Sequence, residues 1–195
     1  MAGSGKINGS RIHLAPIDTA DLDIYIEWLN DIETYVYLDL APMLINKLTE
    51  QEYLSNTVKN GEQVFGIRLN SDQRLIGNCG LIHIDHINRK AELGIFLAEQ
   101  NYLSQGLGSE AIALLLDYGF NILNLNSVFL RCYEYNKRAI RCYEKCGFKL
   151  TGRWRQAKII NCRKYDDLLM DVLAEEFHAS PFKEKLDDLL KNDLE

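Results

Sequence analysis

The sequence predicts one mixed α/β domain, a central sheet that opens with antiparallel hairpins and is flanked by helices. Three observations carry this. Two apolar runs, 64–69 and 75–84, flank the turn-forming Asn70-Ser71-Asp72-Gln73, which reads as a hairpin. From residue 91 onward, short apolar runs alternate with helical patterns in the order strand, helix, strand, helix, strand, strand. Between the first of those strands and its helix lies Asn101-Tyr102-Leu103-Ser104-Gln105-Gly106-Leu107-Gly108-Ser109-Glu110, whose glycines sit where a loop opens a helix.

Taken in order, residues 1–10 are rich in Gly and Ser and read as a flexible leader. Gly3-Ser4-Gly5-Lys6 lacks the preceding strand and following helix that a phosphate-binding ATPase loop requires. Arg11-Ile12-His13-Leu14 is a short strand, and Asp18 is placed to cap a helix with the stripe Leu22, Tyr25, Ile26 and Leu29. The stretch 30–46 has clustered aromatics without a period. Thr49-Glu50-Gln51-Glu52 reads as a capping box starting a helix that ends near Asn60-Gly61. After the hairpin, 85–90 is a polar turn into the strand 91–97. In the helix behind the glycines, Leu107, Ala111, Leu114, Leu115 and Tyr118 recur at helical spacing. Strand 127–131, a helix from Asn136 to Gly147, a strand from Phe148 to about Arg155, and strand 167–173 complete a domain read as 11–177. The extension 178–195 carries Ser180-Pro181 and an apolar stripe of Phe182, Leu186, Leu189, Leu190 and Leu194, a helix packed on its own domain or making a dimer contact.

At 195 residues and 47% hydrophobic the chain can bury a sizeable core. No apolar run reaches membrane-spanning length. The five cysteines are an odd number spread through strands and helices, which fits reduced thiols and a cytoplasmic setting. Cys142 and Cys146 share one helix face but lack partners for zinc, so no metal is expected. The net charge of -6 hides a basic segment, 131–164, in which the only acids are Glu134 and Glu144. Direct nucleic-acid binding is not expected from it, because the chain is acidic overall and a solvated basic face accounts for most of the segment.

A helix start presents unpaired N–H groups and the positive end of the dipole, and Gly106 and Gly108 let an anion approach them. Gln105, Gly106, Leu107, Gly108 and Ser109 therefore form a candidate pyrophosphate site. The second constellation is Asn136-Lys137-Arg138-Ala139-Ile140-Arg141-Cys142-Tyr143-Glu144-Lys145-Cys146-Gly147-Phe148. Together the two closely resemble the GNAT superfamily of acetyl-CoA-dependent N-acetyltransferases, from about Arg11 to Phe177. Ile76-Gly77-Asn78-Cys79-Gly80-Leu81-Ile82 and Asn88-Arg89-Lys90-Ala91-Glu92-Leu93-Gly94-Ile95 are similar to the branch of ribosomal-protein N-terminal acetyltransferases and spermidine acetyltransferases. One departure is Leu103, which stands where the family has Gln or Arg three residues before the first glycine, so phosphate binding leans on backbone N–H groups and Gln105.

The resemblance implies a mostly antiparallel sheet, splayed where the coenzyme's pantetheine arm enters, with Gly94, Ile95, Phe96 and Leu97 pairing to that arm. It implies a coenzyme contact at Asn136 and makes Tyr143 the general acid beside the coenzyme sulfur. Acetyl-CoA is then the acyl donor and coenzyme A the product. Acetyl transfer to an amine requires a base or a water route, because free amines are mostly protonated at pH 7. Glu92, on the strand face opposite Leu93, is the first candidate, with His83 and His86 as alternatives. Asp85 adjoins both histidines, either as a turn residue or as a cation ligand. Trp28, Glu33, Tyr35 and Tyr37 are candidates for the acceptor wall, since aromatics and a carboxylate recognise an ammonium group. The expected acceptor is a peptide N-terminus (a ribosomal protein among them), a polyamine or an amino sugar, and the protein a monomer or homodimer. Transfer of another acyl group and a non-catalytic acyl-CoA sensor share these residues.

Overall fold

The computed structural model describes residues 7–38 and 44–178. Eight strands form one sheet: β1 (Ile7–Asn8), β2 (Ile12–Pro16), β3 (Gln63–Leu69), β4 (Leu75–Asp85), β5 (Lys90–Leu97), β6 (Ser127–Tyr133), β7 (Lys149–Ile160) and β8 (Arg163–Leu173), in the order β1-β2-β3-β4-β5-β6-β8-β7. Every neighbouring pair is antiparallel except β5–β6, which is parallel. The helices are α1 (Leu22–Asn30), α2 (Ile32–Tyr35), α3 (Lys47–Lys59), α4 (Leu107–Asn121) and α5 (Lys137–Lys145). This is the mixed, mostly antiparallel architecture anticipated from the sequence.

The core follows from the periodicities. Leu107, Ala111, Leu114, Leu115 and Tyr118 are all buried, and α4 lays that stripe across one sheet face against Ile67, Leu81, Leu93 and Val128. Burial of each large apolar side chain contributes about 1.5–3 kcal/mol. A second, smaller cluster of Tyr25, Trp28, Leu29, Leu75 and Ala98 joins α1 to the other face. Along β5, Ala91 and Leu93 are buried in the main core, while Phe96 meets Trp28 edge-on at 6.2 Å in the second cluster.

Four elements depart from expectation. Ile7 and Asn8 belong to the sheet: Ile7 is fully buried opposite Leu14, so the fold begins inside the segment read as a leader. An isolated apolar residue in a Gly/Ser-rich stretch gives no period from which a two-residue strand is recognisable. The capping box is Asn46/Thr49, not one starting at Thr49, because the Asn46 side chain accepts from the N–H groups of Leu48 and Thr49. In the aperiodic stretch, Asp31 caps the one-turn helix α2 through the Glu33 N–H. The last hairpin runs through Ile160 and Arg163, well past the expected 155 and 167, because Asn161 (φ 46°) and Cys162 (φ 60°) make a two-residue turn with both φ positive. Asn-Cys lacks the glycine that normally announces such a turn. The leader residues before Ile7, and the C-terminal extension after His178, lie outside the described residues.

Candidate active site

The parallel pairing of β5 with β6 stops after three residue pairs, Lys90↔Ser127, Ala91↔Val128 and Glu92↔Phe129. Beyond Glu92 the two strands part, with β5 continuing beside β4 and β6 beside β8. A cavity of about 980 Å³ opens in that fork, lined by Glu92 to Leu97 on one side and Arg131 to Tyr133 on the other. The splay thus leaves peptide edges of Gly94 to Leu97 facing the cavity instead of a strand.

The glycine loop closes one end. Gly106 caps α4 at φ 81°, a left-handed conformation that an alanine would adopt at a cost of about 1–2 kcal/mol. The cap itself has no side chain, and the Arg11 guanidinium lies beside it. Glu110 N–H is bonded to Gly106 O at 3.0 Å, which leaves the N–H groups of Leu107, Gly108 and Ser109 ahead of the intrahelical ladder. Leu107 therefore contributes to this cradle through its backbone only, because its side chain is in the core. Gln105 does not supply the expected side chain: its Nε2 donates to Asn101 O, and it is absent from the cavity lining. Instead Gln105 O accepts from Arg11 Nη1 at 2.8 Å, and Arg11 is held by Glu110 through Nε at 2.9 Å and its backbone N–H at 2.8 Å. This brace from the residue just before β2 fixes the loop.

Helix α5 forms the facing wall. Asn136 Oδ1 accepts from Ala139 N at 3.1 Å, as expected of its cap role, and Asn136 also lines the cavity. Arg141 and Lys145 line the same cavity as the α4 N-terminus and supply the cations a polyphosphate requires, whereas Arg138 lies over the Tyr37 ring at 6.0 Å. Ser109 ties the two helices together, with Oγ 3.2 Å from Cys142 Sγ and its carbonyl accepting from Cys146 Sγ. Hydrogen bonding from Cys146 holds the Cys142 thiol below its ordinary range, against its burial. Tyr143 is 8% exposed, lines the cavity and packs edge-on against Phe148. Burial pushes its phenol well up, helped by the Cys132, Cys142 and Cys146 thiols, so it is a proton-bearing donor across the working pH range.

The other end of the fork carries the carboxylates. Glu92 lines the cavity with its side chain only 13% exposed. Its Oε1 is 3.1 Å from Arg131 Nε and its Oε2 is 3.0 Å from His83 Nδ1. Arg131 also lies 3.8 Å from Asp167. Glu33 and Tyr37 line this end, Glu33 accepting from Gln100 Nε2 at 3.3 Å and Tyr37 resting against Tyr135 at 6.0 Å. Trp28 and Tyr35 do not. Trp28 is buried under α1, where its spacing from Tyr25 and Leu29 puts it on the core side, and Lys158 Nζ lies 6.0 Å from the Tyr35 ring. Tyr133 takes their place, with Lys158 Nζ 4.9 Å from its ring and Tyr135 stacked on it at 5.5 Å. His86 sits in the turn, and Asp85 is occupied as a turn residue, accepting from the N–H groups of Ile87 and Asn88. Sequence reasoning missed Arg131, although an arginine in the apolar run Ser127–Tyr133 was a usable signal. It also missed Arg11, for which nothing local gave one.

Among the described residues no group of three His, Cys, Asp or Glu is placed to hold a metal ion, and no helix is long and apolar enough to cross a membrane.

Comparison with known proteins agrees with this geometry. Residues 11–149 match the acetyltransferase (GNAT) domain family. The spermidine N(1)-acetyltransferase of Vibrio cholerae is 33% identical over 168 residues, covering 86% of this chain and 96% of that protein. The N-acetyltransferase p20 of Bacillus licheniformis is 27% identical over 170 residues, 86% of this chain and 95% of that one. The crystal structure of spermidine N-acetyltransferase from Vibrio cholerae in complex with CoA and spermine superposes with a TM-score of 0.79 at 28% identity, covering 86% of this chain and 98% of that one. With a glycine loop on a helix mouth beside a splayed parallel pair, and a family match across most of its length, this chain belongs to the GNAT family of acetyltransferases.

Proposed function

We propose that this chain is an acetyl-CoA-dependent N-acetyltransferase whose acceptor is the primary amine of a polyamine. The observation that carries the reading is the fork itself, whose one cavity is lined both by the α4 helix mouth with Arg141 and Lys145 and by Glu33, Glu92 and aromatic rings. Acetyl-CoA supplies the activated acetyl group as a thioester. The residues fit it: the N–H groups of Leu107, Gly108 and Ser109, with Arg141 and Lys145, would hold the phosphates, and the edge of Gly94 to Leu97 that faces away from β4 would take the pantetheine arm.

Each remaining group then has one task. Glu33 and Tyr37 attract and orient a cationic amine at the mouth of the fork. Glu92 takes the proton that makes the amine nucleophilic, directly or through one water. Peptide N–H groups of Gly94 to Leu97 stabilise charge developing on the acyl oxygen. Tyr143 offers its hydroxyl to the departing sulfur. Because burial holds its proton tightly, it acts by hydrogen bonding and not by complete proton loss.

The polyamine class draws its support from the carboxylates of Glu33, Glu92 and Asp167 in the cavity lining and from the similarity to the spermidine acetyltransferase of Vibrio cholerae. Incubation with acetyl-CoA and a panel of spermidine, spermine, peptides with free N-termini and amino sugars, followed by mass spectrometry, tests it. Acetylated spermidine is the expected product. Acetylation of the peptides alone moves the reading to N-terminal transfer, and no acetylated amine makes the chain an acyl-CoA-binding protein without turnover.

A further inference from the structure

We propose that His83 is the outlet of a proton relay running from the acceptor amine through Glu92 to solvent, an inference that rests on the reading of Glu92 as the base. The starting observation is backbone geometry. The register of β4 against β5 breaks between Ile82 and Asp85, and inside that break His83 takes φ 50°. A positive φ at a non-glycine residue is unfavourable, and bulges of this kind re-aim a side chain. Here the result is that Nδ1 sits 3.0 Å from Glu92 Oε2 while 64% of the His83 side chain remains in solvent. One ring nitrogen thus touches the inner carboxylate and the ring as a whole borders water.

The groups around the pair decide which way a proton can go. Glu92 Oε1 faces Arg131 of β6, which carries a permanent charge and has no lone pair to accept a proton. Asp167 of β8 lies 3.8 Å from Arg131 and lines the same cavity. On the strand and turn of His83 itself, Asp85 is occupied by the Ile87 and Asn88 N–H groups, Lys90 carries its own charge, and His86 lies in the turn. Among the described residues, His83 is the side chain hydrogen-bonded to Glu92 that can accept what Glu92 receives. The steps balance. The ammonium gives one proton to the Glu92 carboxylate and becomes the free amine. The protonated carboxyl gives it from Oε2 to Nδ1 of neutral His83, regenerating the carboxylate and forming imidazolium. The imidazolium loses one proton to water and is neutral again. Imidazole suits this because it exchanges protons near neutrality.

The test compares His83→Asn, His83→Gly and Glu92→Gln in single-turnover transfer at saturating acetyl-CoA, using the amine of the acceptor panel that reacts fastest, spermidine on the reading above. Asn and Gly both accept a positive φ, so neither change strains the bulge. Asn keeps a hydrogen-bond donor for Glu92 yet cannot pass a proton through, and Gly leaves room for free imidazole. Both His83 variants should transfer at least about 10-fold more slowly at neutral pH, within the range for general acid–base catalysis. Added imidazole should restore His83→Gly in a pH-dependent way and leave Glu92→Gln unchanged. Parental rates in both His83 variants, with Glu92→Gln inactive, overturn the outlet and leave the base in place. A loss in His83→Gly that imidazole does not restore reduces His83 to a positioning residue and also overturns it. A parental rate in Glu92→Gln overturns base and outlet together.

Discussion

Gly108→Ala separates the coenzyme cradle from the fold because the structure has room for the methyl group. A Cβ at Gly108 would meet Leu97 Cδ1 at 3.6 Å and Cys142 Sγ at 3.8 Å, both ordinary contacts, and the residue has no left-handed φ. Alanine in the first turn of α4 should leave stability unchanged or raise it by up to about 1 kcal/mol. The methyl group would, however, stand on the cavity wall between Leu97 and Cys142, where it narrows the approach of a phosphate to the first-turn N–H groups. Losing one charge-assisted hydrogen bond costs about 1.5–3 kcal/mol. At 1.4 kcal/mol per tenfold, the Kd for coenzyme A should rise about 10–150-fold. Gly106→Ala is the contrasting change: φ 81° makes it destabilising by about 1–2 kcal/mol, a fall in Tm of about 2–8 °C for a domain of this size. Calorimetric titration with coenzyme A and thermal melting of both variants measure the two quantities. Pantetheine, which lacks the phosphates, serves as a control whose affinity Gly108→Ala should change far less. A parental Kd for coenzyme A in Gly108→Ala, at parental Tm, would refute the placement of the pyrophosphate at this helix mouth.

Three further outcomes are expected. Tyr143→Phe keeps the edge-on contact with Phe148 and removes only the hydroxyl, so folding and coenzyme affinity should stay near parental while the single-turnover rate falls at least about 10²-fold; a parental rate makes Tyr143 a core aromatic. Its upward-shifted phenol also means that any alkaline loss of activity should persist in the Phe variant. Glu33→Gln should raise KM for spermidine several-fold and leave KM for acetyl-CoA unchanged, and unchanged values for both place Glu33 outside the acceptor site. Burial raises the Glu110 carboxyl, but hydrogen bonds from the Arg11 N–H, Ser10 and the Arg11 guanidinium outweigh it and hold the carboxyl below its ordinary 4.5. A lowered folded-state value stabilises the fold above about pH 4.5 and is lost as pH falls through it. Glu110→Gln should therefore melt below the parent at neutral pH, by about 1–2 kcal/mol, with the gap closing under acid; a gap independent of pH would remove the brace as its cause.

What could be read from the sequence divides along the length scale of the interaction. The stripe of α4, the Gly106 cap and the Asn136 cap each depend on residues within a few positions, so periodicity and capping chemistry reached them directly. Trp28 misled because an aromatic near a carboxylate has the same composition whether it walls a site or fills a core, and only the turn of α1 puts it beside Phe96. Gln105 misled because a loop side chain with several acceptors in reach takes the nearest, here Asn101 O. Arg131 and His83 were harder still. They meet on Glu92 from β6 and β4, strands on either side of β5, and the meeting depends on two long-range facts. One is the three-pair parallel register that puts Glu92 where β6 begins to diverge. The other is the bulge that brings His83 Nδ1 against Glu92 at the cost of a left-handed φ. Neither leaves a local signature, since a bulge in an apolar strand reads as more strand. The same registers create the cavity and place its charges. Fold-forming residues are thus legible one element at a time, whereas the contacts among the acid–base candidates become legible only once strands far apart in sequence are laid side by side.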